Sequence, residues 1–168
     1  MKTIQQWMDT VSLTMQTPQI PMDILLIEDR DDDIGMVEEA INRTQLSNRM
    51  IVAKNPIEAL MYLRQCAMAG HYEEEYEGTK APGLILLDVN MEGRRGLDVL
   101  HDLRSDIHLM TIPIVILTDS LEETDLQCTM AHGVTGYFLK PMDAAQLRKV
   151  IKDVEEHWSL LATAPCAN

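Results

Sequence analysis

Strand-like and helix-like stretches alternate along this chain, and the alternation predicts an α/β fold: a doubly wound sheet with helices on both faces. Two observations carry that expectation. The apolar runs are short, continuous and rich in branched side chains, as in parallel strands covered on both faces. The stretches between them repeat apolar residues at helical spacing and open with helix-start signals.

Strands are expected at Ile24-Leu25-Leu26-Ile27, Met50-Ile51-Val52-Ala53, Leu84-Ile85-Leu86-Leu87 and Ile114-Val115-Ile116-Leu117, with a more mixed fifth at Thr135-Gly136-Tyr137-Phe138-Leu139. Helical spacing is readable at Ile34, Val37 and Ile41, and again at Leu60, Leu63 and Ala67. Leu121, Leu126 and Met130 suggest a further helix, and Leu147, Val150, Ile151 and Val154 the last. Asn55-Pro56-Ile57-Glu58 supplies an amide cap, a proline in the first turn and a glutamate at the third position. Ser120-Leu121-Glu122-Glu123 has the same capping-box form, with a hydroxyl cap and a glutamate at the third position.

The chain divides into an N-terminal arm (1–20), one domain (21–158) and a C-terminal tail (159–168). In the arm, Ile4, Trp7, Met8 and Val11 stand at helical spacing before Pro18 and Pro21, so it docks on the domain, frays, or meets a partner. Residues 71–80, with Glu73, Glu74, Glu75 and Glu77, read as a solvated acidic insertion before the third strand. Trp158 and Leu160-Leu161 extend the last helix or its tail and offer a contact either to the domain or across a homodimer.

Composition narrows the function. The 168 residues hold one domain of ordinary size. Acidic side chains number 27 against 14 basic ones, a net charge of -13, which repels nucleic-acid phosphates. No apolar run approaches the length of a bilayer span, and residues 1–20 lack the continuous hydrophobic stretch of a signal peptide. A cytoplasmic protein with no membrane contact is expected. Cys66, Cys128 and Cys166 share no metal or redox spacing and read as reduced thiols. The five histidines lie in different elements without ligand spacing, and the twelve methionines read as core filler.

Ligands of an open parallel sheet bind beyond the carboxyl ends of its strands. Glu28 and Asp29 follow the first apolar run, Asp88 the third, Thr118 the fourth and Lys140 the fifth. Each alone reads as an ordinary strand terminus; the set converges on one edge. Crowded carboxylates repel one another, and a hard divalent cation relieves the repulsion. Oxygen ligands with water in the other positions suit Mg²⁺. One carboxylate then becomes a nucleophile toward phosphorus, with charge on the transferring oxygens offset by the cation and Lys140 and with Thr118 donating to a phosphoryl oxygen.

Over residues 22–157 these motifs resemble the receiver domains of two-component response regulators, the CheY-like group. The resemblance implies a flavodoxin-like five-stranded parallel sheet in the order 2-1-3-4-5. It places Glu28 and Asp29 on the acidic metal-binding pair and Asp88, in Leu84-Ile85-Leu86-Leu87-Asp88-Val89-Asn90, on the phosphoacceptor. Asn90 falls on the position lending a backbone carbonyl to the metal. Thr118 falls on the switch hydroxyl, Tyr137 on the switch aromatic, Gly96 on the glycine closing the loop after the acceptor, and Lys140-Pro141 on a lysine followed by a proline that is usually cis. The acidic insertion, the Glu-Asp form of the first pair and the Trp158 extension look most like stand-alone regulators partnered with bacterial phytochromes.

The implied function is that of a single-domain response regulator and not an enzyme in its own right. It would accept a phosphoryl group from a sensor histidine kinase with Mg²⁺ and signal to a downstream protein or phosphorelay partner. The surface built from the helix at 121–130, the fifth strand and the last helix would carry the output. Four departures stand out: Glu28 where aspartate is commoner, Arg30 after the acidic pair, Glu92 at a usual proline position, and Asp119 beside Thr118. Asp119 either adds a carboxylate at the pocket mouth or caps the following helix. Arg30 and Asp119 motivate a second reading, a receiver-fold binding module that never turns over phosphate. A phosphatase working through an aspartyl-phosphate is disfavoured, because Asn90 stands where a second aspartate would act as acid/base.

Overall fold

The computed structural model describes residues 22–69, 81–91, 96–120 and 133–163, the last segment with side chains to Trp158. The arm, the acidic insertion, Glu92, the Leu121–Met130 helix with most of its capping box, Cys128 and Cys166 lie outside the described residues. Five strands form one parallel sheet in the order β2-β1-β3-β4-β5. They are β1 Ile24–Ile27, β2 Met50–Ala53, β3 Leu84–Asp88, β4 Ile114–Thr118 and β5 Gly136–Leu139. The helices described are α1 Asp31–Thr44, α2 Pro56–Ala69, α3 Gly96–Ser105 and α4 Ala144–Thr163.

β1, β3 and β4 are buried along their whole lengths, which is why they read as continuous apolar runs. Their alternate side chains feed two cores. Ile24, Leu26, Leu84, Leu86, Val115 and Leu117 pack beneath α1 and α4. Leu25, Ile27, Ile85, Leu87, Ile114 and Ile116 pack beneath α2 and α3. β5 at the sheet edge alternates half-buried and exposed residues, hence its mixed sequence.

The predicted start of α2 is built as read, with one difference. Asn55 Oδ1 accepts the Glu58 N–H at 2.9 Å, but the Glu58 carboxylate reaches past the cap to the Lys54 N–H, also at 2.9 Å. A reciprocal box also opens α4: Asp143 Oδ1 accepts the Gln146 N–H at 2.8 Å, and Gln146 Oε1 accepts the Asp143 N–H at 3.2 Å. α4 runs past Trp158 to Thr163, so part of the region read as a tail is helical. Trp158 packs on the core beneath α1 and α4, and its indole N–H donates to the Gly83 carbonyl at 2.9 Å. Of its two expected contacts, the one to the domain is made.

Candidate functional site at the carboxyl edge of the sheet

The ladder register lines up the ends of four strands. Ile27 stands opposite Leu87 and Leu87 opposite Ile116, so Glu28 and Asp88 leave neighbouring strands at one level. Thr118 pairs with Leu139, and the Lys140 N–H donates to the Thr118 carbonyl at 2.8 Å. Continuing the side-chain alternation, Glu28, Asp88 and Lys140 fall on the face covered by α1 and α4.

Lys140 is the centre of the cluster. Its Nζ donates to Glu28 Oε2 at 2.7 Å and to Asp33 Oδ2 at 2.9 Å, and lies 3.3 Å from Asp88 Oδ2. Its side chain is 7% exposed and those of Glu28 and Asp88 are 1% exposed, so these ion pairs are shielded from water. Burial alone would lower the Lys140 pKa, but hydrogen bonds to Glu28 and Asp33 and the charge of Asp88 hold it above its ordinary value. The ammonium therefore stays charged. Burial pushes the Glu28 carboxyl above its usual range, against hydrogen bonds from Lys140 and the Arg30 N–H.

The remaining Glu28 oxygen, Oε1, accepts the Arg30 N–H at 3.1 Å. Asp88 Oδ1 accepts the Asn90 N–H at 3.0 Å, while Oδ2 accepts no hydrogen bond among the described residues. Gly96 lies where no other residue fits: a β-carbon there would overlap the Asp88 carbonyl and sit 2.6 Å from Val89 Cα. The peptide bond between Lys140 and Pro141 is cis. A narrow cleft lined by Glu28, Asp33 and Lys140 lies between α1 and the loop leaving β5.

The donor set fits a hard divalent cation. Glu28, Asp29 and Asp88 each offer an oxygen, and the three lie within 4.8 Å of one another. Asn90 is beside them through its backbone. Thr118 is buried at 4% exposure, with its hydroxyl turned to its own loop: it donates to the Ser120 carbonyl at 2.8 Å and accepts the Ser120 N–H at 3.2 Å. Tyr137 is 38% exposed on β5. Arg30 and Asp119 are exposed, and the Arg30 guanidinium lies 3.8 Å from Asp33.

Asp33 is the member of the cluster that sequence reasoning missed. It stands in the first turn of α1, in a run of three aspartates that reads as a solvated, dipole-matched helix start. The available signal was its phase. Asp33 shares the buried stripe of Val37, Ala40 and Ile41, whereas Asp31 and Asp32 are exposed.

Comparison with known proteins identifies the family and the fold. The family model described as the response regulator receiver domain matches residues 24–152. Response regulator Rcp1 of Synechocystis sp. is 31% identical over 147 residues, covering 88% of this chain and 95% of that protein. Among solved structures, the phosphorylated cyanobacterial phytochrome response regulator RcpA is similar at 34% identity and a TM-score of 0.63, covering 86% of this chain and 96% of its own. The Mn²⁺-bound form of Rcp1 is similar at 30% identity and a TM-score of 0.61, over 87% of this chain and 100% of its own. With its sheet order, its edge cluster and a family match over most of its length, this chain belongs to the response regulator receiver domain family.

Proposed function

We propose that this chain is a phosphoryl-accepting switch that takes its phosphoryl group on Asp88 from a sensor histidine kinase, with Mg²⁺ held by Glu28, Asp29, Asp88 and the Asn90 backbone carbonyl. The observation that carries the reading is the state of Asp88. Its carboxylate is buried at a strand end, Asn90 fixes one oxygen, and the other oxygen accepts no hydrogen bond among the described residues and lies 3.3 Å from a buried ammonium. That free oxygen attacks phosphorus. The bond to the donor's leaving group breaks, its electron pair departs with the leaving group, and an acyl phosphate remains on Asp88. Lys140 offsets the charge on the transferring oxygens and orients them. A bound divalent cation supplies further charge neutralisation there.

Thr118 completes the switch. Its hydroxyl is now donated to the Ser120 carbonyl; transferred to a phosphoryl oxygen, it releases that loop and leaves space toward which the exposed Tyr137 ring turns. The output surface is the segment following Ser120 together with β5 and α4, and it is read by a downstream protein or phosphorelay partner. A bacterial phytochrome is the proposed kinase class, because RcpA is described as a phytochrome response regulator. No second reading gains an observation: Arg30 and Asp119 are exposed, and neither side chain is buried in the cleft.

The test is incubation with acetyl phosphate and Mg²⁺, followed by intact mass measurement. One phosphoryl group should appear, be released by hydroxylamine, and be absent from Asp88→Asn. Labelling of the Asn variant to the same extent contradicts the assignment.

A further inference from the structure

We propose that Asp33 is a positioning residue for Lys140, holding its ammonium at the acceptor when a divalent cation and a phosphoryl group draw charge away from Glu28 and Asp88. The inference rests on the reading of Asp88 as phosphoacceptor. An ammonium has three N–H donors. Two are committed, to Glu28 Oε2 at 2.7 Å and Asp33 Oδ2 at 2.9 Å, and the third group within ion-pair range is Asp88 Oδ2 at 3.3 Å. Glu28 and Asp88 belong to the carboxylate trio that fits a cation; Asp33 lies outside it.

That division has a consequence for charge. A dication held by the trio shares the carboxylates that now hold Lys140, and the two cations repel. Once Asp88 carries a phosphoryl group, its own oxygen is lost as a partner. Asp33 is the one anion of the three whose hold on Lys140 neither event weakens. With its side chain 9% exposed, it keeps that hold shielded from water, whereas the competing Arg30 guanidinium is 3.8 Å away and 60% exposed. The backbone of α1 fixes Asp33 on the buried stripe, so the ammonium is anchored to a helix as well as to the strand ends. One N–H fixed on Asp33 leaves the others to follow the phosphoryl oxygens.

Two readouts on the full chain test this. In proton–nitrogen spectra of lysine ammonium groups, the Lys140 peak is identified by its loss in Lys140→Ala. It should survive saturating Mg²⁺ in the wild type and in Asp33→Glu, and vanish on Mg²⁺ addition in Asp33→Asn. In single-turnover labelling by acetyl phosphate at saturating donor and Mg²⁺, Asp33→Asn should be about ten-fold slower, equivalent to 1.4 kcal/mol. The double variant Asp33→Asn/Lys140→Ala should be no slower than Lys140→Ala alone, because Asp33 acts through the lysine. An Asp33→Asn ammonium peak that persists in Mg²⁺, or slowing that multiplies with Lys140→Ala, overturns the proposal. A wild-type chain that takes no phosphoryl group removes the Asp88 reading instead, and the Mg²⁺ response of the ammonium peak still decides whether Asp33 holds Lys140.

Discussion

The indole N–H of Trp158 donates to the Gly83 carbonyl across 2.9 Å, tying α4 to the residue that precedes β3. Gly83 is itself constrained, since a β-carbon there would sit 2.6 Å from Met22 Cβ. Trp158→Phe keeps most of the apolar contact and leaves the carbonyl without its donor. Urea unfolding should show a loss of about 1 kcal/mol. No change in midpoint would mean that water replaces the indole fully.

Lys140 compensates three buried or nearly buried carboxylates. Lys140→Ala leaves Glu28, Asp33 and Asp88 facing one another without their cation. The expected cost is about 3–5 kcal/mol, read from denaturant midpoints in chelator. Millimolar Mg²⁺ should restore part of it, and restore more than it adds to the wild type. Equal Mg²⁺ increments in both proteins would show that the lysine and the metal site are not coupled.

A cation that binds the native trio stabilises the fold by mass action. At a Mg²⁺ concentration equal to its dissociation constant the gain is about 0.4 kcal/mol, rising with concentration. Asp29→Asn removes one of the three carboxylates and should abolish most of the gain in a melting titration. Identical Mg²⁺ titrations of the two proteins would place the cation elsewhere.

Asp119 is exposed, so its charge is screened from the acceptor. Asp119→Ala should change the acetyl phosphate labelling rate by about two-fold or less. A larger acceleration would mean that the carboxylate swings into the pocket mouth during the reaction.

The sheet was legible because burial on both faces writes a strand as an uninterrupted branched run: Ile24–Ile27, Leu84–Leu87 and Ile114–Leu117 admit few other interpretations. Glu28 and Asp88 were legible for the same reason, since each ends such a run; Lys140 ends the mixed edge strand β5 and was legible because a parallel register brings its end level with theirs. Asp33 was not. A helix start favours carboxylates for reasons of its own, and three in succession conceal which one faces inward. The contact of Trp158 was left open because it depends on where a residue far along the chain meets the Gly83 carbonyl. The turned-in Thr118 hydroxyl was equally invisible, being a choice of rotamer between its own loop and a phosphoryl group.

On the function proposed above, the free oxygen of Asp88 becomes the bridging oxygen of an acyl phosphate. Borohydride reduces an aspartyl phosphate to homoserine at the residue that carried it, so peptide mass mapping after labelling with acetyl phosphate and Mg²⁺ identifies the acceptor directly. Homoserine is expected at position 88, dependent on Mg²⁺ and absent when donor is omitted. Homoserine at Asp29 or Asp33, or none anywhere in a chain that binds Mg²⁺, would contradict it.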